Sequence, residues 1–314
     1  MYRGGLRLEY LTLEEIALED KTLCLSYPLS DDGLTESIRD IGIIQPLIVC
    51  APKPYKVVTG FKRLESARSL GLKELPCIII AETEQKNAML MAVHDNISRG
   101  FNTVEKAHCI HKMMQIGFSE EEIYNIMSIL GLGRHDAVMK NLIGVACAEK
   151  NLKDFIVRYR LSMKNIYYLL WFKPDERDSI IGFLSSVSFT DSLLREILQL
   201  LCLIRMKKGG LPLDELDMAG DAIEARKILK RHVNPGITFL EEEFKRLKQM
   251  CSFPKNIDIK IDPFFEKEYI DITIKARDSA TIEDALRRIS NALKDGYVEG
   301  IFGITKNRDY RDRD

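Results

Sequence analysis

No run of this sequence approaches the roughly 18–20 apolar residues of a membrane helix. The N-terminus, MYRGGLRLEYLTLEEI, has no apolar stretch behind its basic residues. A soluble cytoplasmic protein with no membrane contact is expected. No C-x-x-C and no Cys/His cluster occurs: Cys24, Cys50, Cys77, Cys109, Cys147, Cys202 and Cys251 are scattered singly. That speaks against a zinc site or a disulfide framework, and for reduced thiols buried as small hydrophobes. An excess of either charge is also missing. Lys and Arg number 46 and Asp and Glu 47, a net charge of −1 over 314 residues. A protein that coats nucleic acid through bulk charge is disfavoured, although a local basic patch is not. Internal repeats are absent as well. What is present is 46% apolar and 30% charged residues, enough for real cores in two or three domains.

Residues 34–80 alternate helix and strand signals. Leu34, Ser37, Ile38 and Ile41 recur at helical spacing and Gly42 stops them. Pro46–Val49, Tyr55–Val58 and Leu75–Ile80 read as short strands, with a helix from Phe61 to Leu70 between the last two. This predicts a small α/β domain, followed by a helical segment over 84–98. From 103 to about 205 the texture is all-helical. Ser119 and Glu122 form a capping-box pattern, Gly131-Leu-Gly133 breaks the helix, and a second helix from Arg134 to about Ala146 completes a helix-turn-helix pattern. Lys207–Pro212 reads as a linker. Beyond it, Thr238-x-x-Glu241 and Thr281-x-x-Asp284 are expected to cap amphipathic helices, and Ile257/259/261 and Ile270/272/274 to mark half-buried strands. The tail from Lys306 is highly charged and expected to be disordered.

Three segments now stand in order: Leu34–Val49 with its Gly-Ile-Ile-Gln-Pro-Leu-Ile-Val, Tyr55–Ala67 with Gly60-Phe-Lys-Arg63, running on to Leu70-Gly-Leu72 and Leu75-Pro-Cys77, and Asp95-Asn96-Ile-Ser-Arg99. In this order and spacing they resemble the N-terminal domain of the ParB family of chromosome- and plasmid-partition DNA-binding proteins. The resemblance is strong over residues 8–102, moderate through the helix-turn-helix region to about 190, and weaker over 236–295, where family members often carry a dimerisation module. It implies a site for CTP and Mg²⁺, used to close a dimer into a clamp on DNA. Gly60, Lys62, Arg63, Asn96 and Arg99 would hold nucleotide and Asp95 the metal. The residue types suit that chemistry. A helix N-terminus with Lys62 and Arg63 in its first turn favours a triphosphate, and Asp95 and Asn96 offer hard oxygen ligands. The chain departs from the family pattern at Phe61, which replaces an acid, at Lys62, which replaces an Arg, and at Asp95, which shortens a Glu. Loss of the carboxylate at 61 speaks against catalysis beyond weak CTP hydrolysis.

The second helix of the helix-turn-helix can be read on its own. Its polar half carries Arg134, Asp136, Lys140 and Asn141, with small Ala137 and Gly144 between the halves. Arg and Asn suit guanine and adenine edges, so Arg134, Lys140 and Asn141 are the candidate DNA contacts. An ordinary two-helix packing unit fits the same spacing. His135 falls on the apolar half and is expected to pack. Tyr167, Tyr168 and Trp171 are read as core. Glu105, His108 and His111 share helical spacing but lack a fourth metal ligand. Arg3-Gly-Gly-Leu6 faintly resembles the tail with which family members touch a ParA-type partition ATPase.

The expected organisation is therefore a ParB-like α/β nucleotide domain (1–102), an all-α helix-turn-helix domain (103–206), a linker (207–235), a small α+β dimerisation module (236–300) and a charged tail (301–314). The functional expectation is a dimeric, CTP-responsive partition protein on double-stranded DNA, associated with a nucleoid or plasmid. The alternatives are a transcription regulator of the same architecture, or a phosphoryl-transfer or nuclease enzyme on the same fold. Charge sharpens the DNA reading: residues 103–200 carry twelve Lys and Arg against twelve Asp and Glu. Such a binder depends on specific sites, dimerisation or clamping, and has a shallow salt slope.

Overall fold

The computed structural model describes residues 7–262 and 267–306. They fall into two compact units, one ending at Ser186 and the other beginning at Val187. Both Arg3-Gly-Gly-Leu6 and the tail beyond Lys306 lie outside the described residues.

The first unit starts as a mixed sheet of β1 (Arg7–Thr12), β2 (Leu47–Cys50), β3 (Lys56–Thr59) and β4 (Glu74–Ile80), in the order β1-β4-β2-β3. β2 and β4 are parallel, while the two edge strands run antiparallel to their neighbours. A parallel pair requires a crossover, which β3 and α2 (Phe61–Ser69) supply. α1 (Asp32–Ile41) precedes the sheet's second strand and α3 (Gln85–Ile97) follows its last. Leu47, Val49, Val58, Leu64, Leu75 and Cys77 are shut off from solvent and form the core. The α/β reading of 34–98 therefore holds, with strand limits shifted by a residue. β1 was not anticipated. Leu8 and Tyr10 are more than half exposed, so no buried alternation announces the strand; it is held by its backbone ladder to β4.

Six helices complete this unit: α4 (Thr103–Ile116), α5 (Glu120–Ile129), α6 (Asp136–Cys147), α7 (Lys150–Tyr159), α8 (Met163–Trp171) and α9 (Pro174–Ser186). Their core includes Ile110, Met113, Met127, Leu142, Leu152 and Ile166. The expected capping box forms: Ser119 Oγ accepts from Glu122 N at 3.3 Å, and Glu122 Oε2 accepts from Ser119 N at 2.6 Å. Between α5 and α6 the chain turns at Gly131, whose φ of +68° suits glycine. α6 starts two residues later than its apolar spacing suggests. His135 caps it in extended conformation and is exposed, not packed, and Arg134 sits in the turn.

The second unit contains α10 (Asp191–Lys208), α11 (Leu213–Asp217), α12 (Ala222–Val233), α13 (Pro235–Met250), the antiparallel hairpin of β5 (Ile257–Lys260) and β6 (Asp271–Ile274), α14 (Ser279–Lys294) and α15 (Tyr297–Lys306). Residues 207–235 are thus not a linker. The two glycines form only a turn, and α12, capped by Asp221, buries Ala222, Ala225 and Leu229. Helix starts also differ from expectation. α13 begins at Pro235, so Thr238 lies inside it and donates back to Asn234 O at 3.1 Å. α14 is capped by Asp278, which accepts from Thr281 N at 2.8 Å. α15 carries the folded chain past 300, packing Ile304 with Leu240, Phe244 and Leu247. On α14, Ile282, Leu286 and Leu293 stay exposed, as does Ile272 on β6.

Candidate functional sites

At the end of β3 the chain reverses into α2 through Gly60, with φ +97°. A Cβ there would lie 3.0 Å from Leu47 Cγ and 3.4 Å from the Arg63 guanidinium. Glycine is required on both grounds. It also leaves the N-terminal amides of α2 without a side-chain cap, an arrangement suited to an anion. Lys62 stands in that first turn, 3.3 Å from Asp31 Oδ2. Asp31 caps α1 through Leu34 N, and this hydrogen bond, with that from Lys62, holds its carboxyl below the usual range despite partial burial. Arg63 is committed elsewhere, donating to the carbonyls of Gln45 and Pro46, the latter at 2.6 Å. Burial lowers its pKa and the Asp95 charge opposes that. Phe61, at the position of the missing acid, is 4% exposed with Lys21 Nζ 5.7 Å from its ring centroid; the substitution builds core where the family pattern has a carboxylate.

From α3, Asp95 is exposed, whereas Asn96 donates to Ala92 O at 2.8 Å and accepts from Arg99 at 3.0 Å. Arg99 also donates to both oxygens of Glu105 at 3.1 Å. Glu105 is 1% exposed. It further accepts from Tyr27 N at 3.2 Å and Asn102 N at 3.1 Å. So Lys62 pairs with Asp31, the Asp95 charge reaches Arg63, the Arg99 charge reaches Asp31, and Asn96, Arg99 and Glu105 tie α3 to α4. Among the described residues no cluster of three or more His, Cys, Asp or Glu is fit to hold a metal. Asp95 is the exposed carboxylate that would hold a Mg²⁺ here, the Asn96 side-chain oxygen being taken up by Arg99.

Next to this lies a cavity of about 720 Å³, lined from the 21–30 segment, α2, α4 and α7. Tyr27 spans it, its hydroxyl donating to Asp154 Oδ1 at 2.6 Å, with the His108 ring edge-on at 5.7 Å. Burial, then the charges of Lys153 and Lys112, lower the His108 pKa to about 4. Burial and the bond to Asp154 raise that of Tyr27. Glu105 and Tyr27 carry this junction, a role that the helical spacing of Glu105 with His108 and His111 does not reveal. Its capping-box partnership with Asn102 was the available signal.

On the helix-turn-helix, α6 buries Leu142 and Val145 and exposes Ala137 and Lys140, with Asn141 half-buried. Arg134 donates to Asn125 Oδ1 at 3.2 Å and lies over Tyr124 at 5.8 Å. Asp136 is taken up by the Tyr124 hydroxyl at 2.5 Å, which raises that phenol to about 12. Gly144 does not serve close approach to a ligand: a Cβ there would sit 2.9 Å from Leu170 Cδ1, so its smallness lets α8 pack on α6. Tyr167 and Trp171 are not core either, being 54% and 46% exposed; the apolar run of α8 fed its buried face through Ile166 and Leu169 instead.

Residues 29–97 match the ParB N-terminal domain family. A probable plasmid-partitioning protein ParB of Thermus thermophilus is 30% identical over 43% of this chain and 46% of its own length. A probable chromosome-partitioning protein ParB of Vibrio cholerae is 25% identical over 49% of this chain and 52% of its own. The chain spans about half the length of these curated relatives. Among solved structures, a Pnob8-like ParB-N domain aligns over 74% of this chain and 100% of its own, at 15% identity and a TM-score of 0.37, too low for residue correspondence. The segment that matches the ParB N-terminal domain is thus followed by a helical region, and the chain is similar over somewhat less than half its length to ParB partition proteins. No helix among the described residues is long and apolar enough to cross a membrane.

Proposed function

We propose that this protein is a ParB-like partition factor that binds double-stranded DNA through α6, as a dimer joined by its C-terminal module, and that nucleotide at Gly60 regulates it. The observation that carries the reading is the outward face of α6, two helices downstream of the segment that matches the ParB N-terminal domain. Ala137 is small and exposed, Lys140 is exposed, Asn141 lies beside it, and Arg134 stands in the preceding turn. A helix with that face fits a major groove about 12 Å wide. Arg134 is held back by Asn125 and Tyr124, so it must swing outward to reach a base or phosphate.

The uncapped N-terminus of α2 and the Lys62 ammonium support an anionic nucleotide such as CTP. Lys62 and Arg99 would hold the phosphates, Lys62 exchanging Asp31 and Arg99 exchanging Glu105 for phosphate oxygens. Arg63 holds the 45–46 carbonyls and would shape the pocket wall rather than clamp phosphate. The exposed apolar stripe of Ile282, Leu286 and Leu293 supports pairing of two copies, which would match an inverted-repeat site. Contact with a ParA-type ATPase belongs to the same reading and rests on family resemblance alone.

The test is selection of duplexes from a random pool with the full chain, with and without CTP and Mg²⁺, followed by fluorescence anisotropy. An enriched site whose affinity falls at least tenfold in Arg134→Ala plus Lys140→Ala supports the reading. No enriched sequence under either condition refutes it.

A further inference from the structure

We infer that Cys147 is a thiol–disulfide exchange site, with His111 as its base, and that a small anionic disulfide joined to it blocks the Lys140–Asn141 end of α6. The exchange chemistry stands on its own geometry. Its effect on DNA rests on the reading of α6 above.

Accessibility singles out this thiol. Of the seven cysteines, Cys24, Cys50, Cys77 and Cys109 are buried and Cys202 and Cys251 are partly covered, while Cys147 is exposed. Burial pushes the thiols of Cys24, Cys77, Cys109, Cys202 and Cys251 up, which keeps them protonated and inert near neutral pH. The Cys50 thiol is tied up, donating to Ala81 O at 3.4 Å.

A base stands beside the exposed thiol. Cys147 is the last residue of α6, and its Sγ lies 3.8 Å from Nε2 of His111 on α4, 36 residues earlier in the chain. Two helices thus bring a nucleophile and a base within reach of each other. Reactive thiols occupy electropositive, accessible surroundings, and those are the surroundings here. Lys153 is near enough for its charge to act on Cys147. Lys153, Lys112 and His111 all act on the neighbouring His108 ring. Glu149, two residues beyond the thiol, is held by Arg177 at 2.6 Å, which offsets its repulsion of a thiolate.

Room for an adduct is also present. Cys147 lines a groove of about 410 Å³ to which α6 further contributes Lys140, Asn141 and Gly144. The Lys140 ammonium favours an anionic disulfide, of which oxidised glutathione is the simplest probe. Lys140 and Asn141 also belong to the proposed reading face, so a group held at Cys147 lies along it.

The exchange balances. In the tautomer protonated on Nδ1, His111 Nε2 accepts the thiol proton, and the thiolate attacks one sulfur of the disulfide. A new S–S bond forms at Cys147 as the old one breaks. The electron pair leaves on the departing thiolate, which takes the proton back from His111. Cys147 is oxidised and half of the disulfide is reduced to a thiol; a dithiol reverses the step by the same route.

The full chain is incubated with oxidised glutathione at pH 7, and adducts are mapped by peptide mass spectrometry. A single adduct at Cys147 is expected, removed by dithiothreitol and absent in Cys147→Ser. Trp171, the sole tryptophan, lines the same groove, so its emission should change as the adduct forms. His111→Gln, with unaltered circular dichroism, should slow the exchange about tenfold at pH 7 and approach the native rate near pH 9, where the thiol ionises without a base. A merely structural histidine would not give that convergence. The adduct sets negative charge against phosphate, so the modified chain should bind the selected duplex about tenfold more weakly until dithiothreitol restores it. Adducts spread over other cysteines, or an unchanged rate in His111→Gln, overturn the site. Rapid exchange at Cys147 with unchanged duplex affinity overturns the blocking role. If the unmodified chain binds no duplex, the DNA reading falls, while the adduct map and the rates still decide the exchange site.

Discussion

Replacing Glu105 by Ala tests whether the α3–α4 junction depends on one buried carboxylate. In the folded chain this side chain, 1% exposed, accepts from Tyr27 N, Asn102 N and Arg99. Removing it leaves two backbone N–H groups without their partner, at about 1 kcal/mol each. The ion pair to Arg99 adds about 1 kcal/mol, since Arg99 is 39% exposed and solvent screening cuts the larger cost of breaking a fully buried pair. The expected destabilisation is about 3 kcal/mol. For a unit of this size that corresponds to a melting-temperature drop of roughly 6–12 °C. Glu105→Gln keeps one accepting oxygen but turns an amide donor toward other donors, and should cost about half as much. Urea denaturation followed by circular dichroism and by Trp171 emission, which reports the first unit alone, gives both values. A Glu105→Ala variant within about 1 kcal/mol of the native chain would refute the argument and show that water replaces the carboxylate at no cost.

Gly60→Ala should lower stability by about 1–3 kcal/mol, because it forces a side chain into a left-handed conformation and against Leu47 at 3.0 Å; a thermal melt equal to the native one would sink this account of the turn. His108 makes the first unit acid-sensitive. Its folded pKa of about 4 lies below the ordinary imidazole value of 6.5, so the unfolded chain binds more protons between those values. The associated stability is fully present above pH 6.5 and is lost as pH falls toward 4. Urea midpoints measured across that window should fall less steeply in His108→Gln than in the native chain.

Much of the α/β domain was legible because its signals are local. Buried strands of four to seven residues, the helical spacing of Leu34, Ile38 and Ile41, and Gly42 as a helix stop all act within a few positions of one another. β1 was missed because an edge strand with Leu8 and Tyr10 in solvent owes its existence to a distant partner ladder. The expected linker over 207–235 failed for the opposite reason. Gly209, Gly210 and Pro212 make a single turn there rather than a break, while Ala225 and Leu229 are drawn into a helical core. At the site, residue types were readable but commitments were not: Lys62 lies against Asp31, Arg63 donates to backbone carbonyls and Arg99 is shared with Glu105.

Local chemistry alone thus specified an α/β domain ahead of a helix-turn-helix and a chain without bulk charge for nucleic acid, since periodicity, caps and composition belong to the covalent chain. Tertiary packing decided which of those residues are free to act. It turned Phe61 into core, set Gly144 beneath Leu170, buried Glu105 as the anchor of Arg99 and left Trp171 in solvent. Exposure and hydrogen-bond partnership arise between segments far apart in sequence, so no window along the chain contains them.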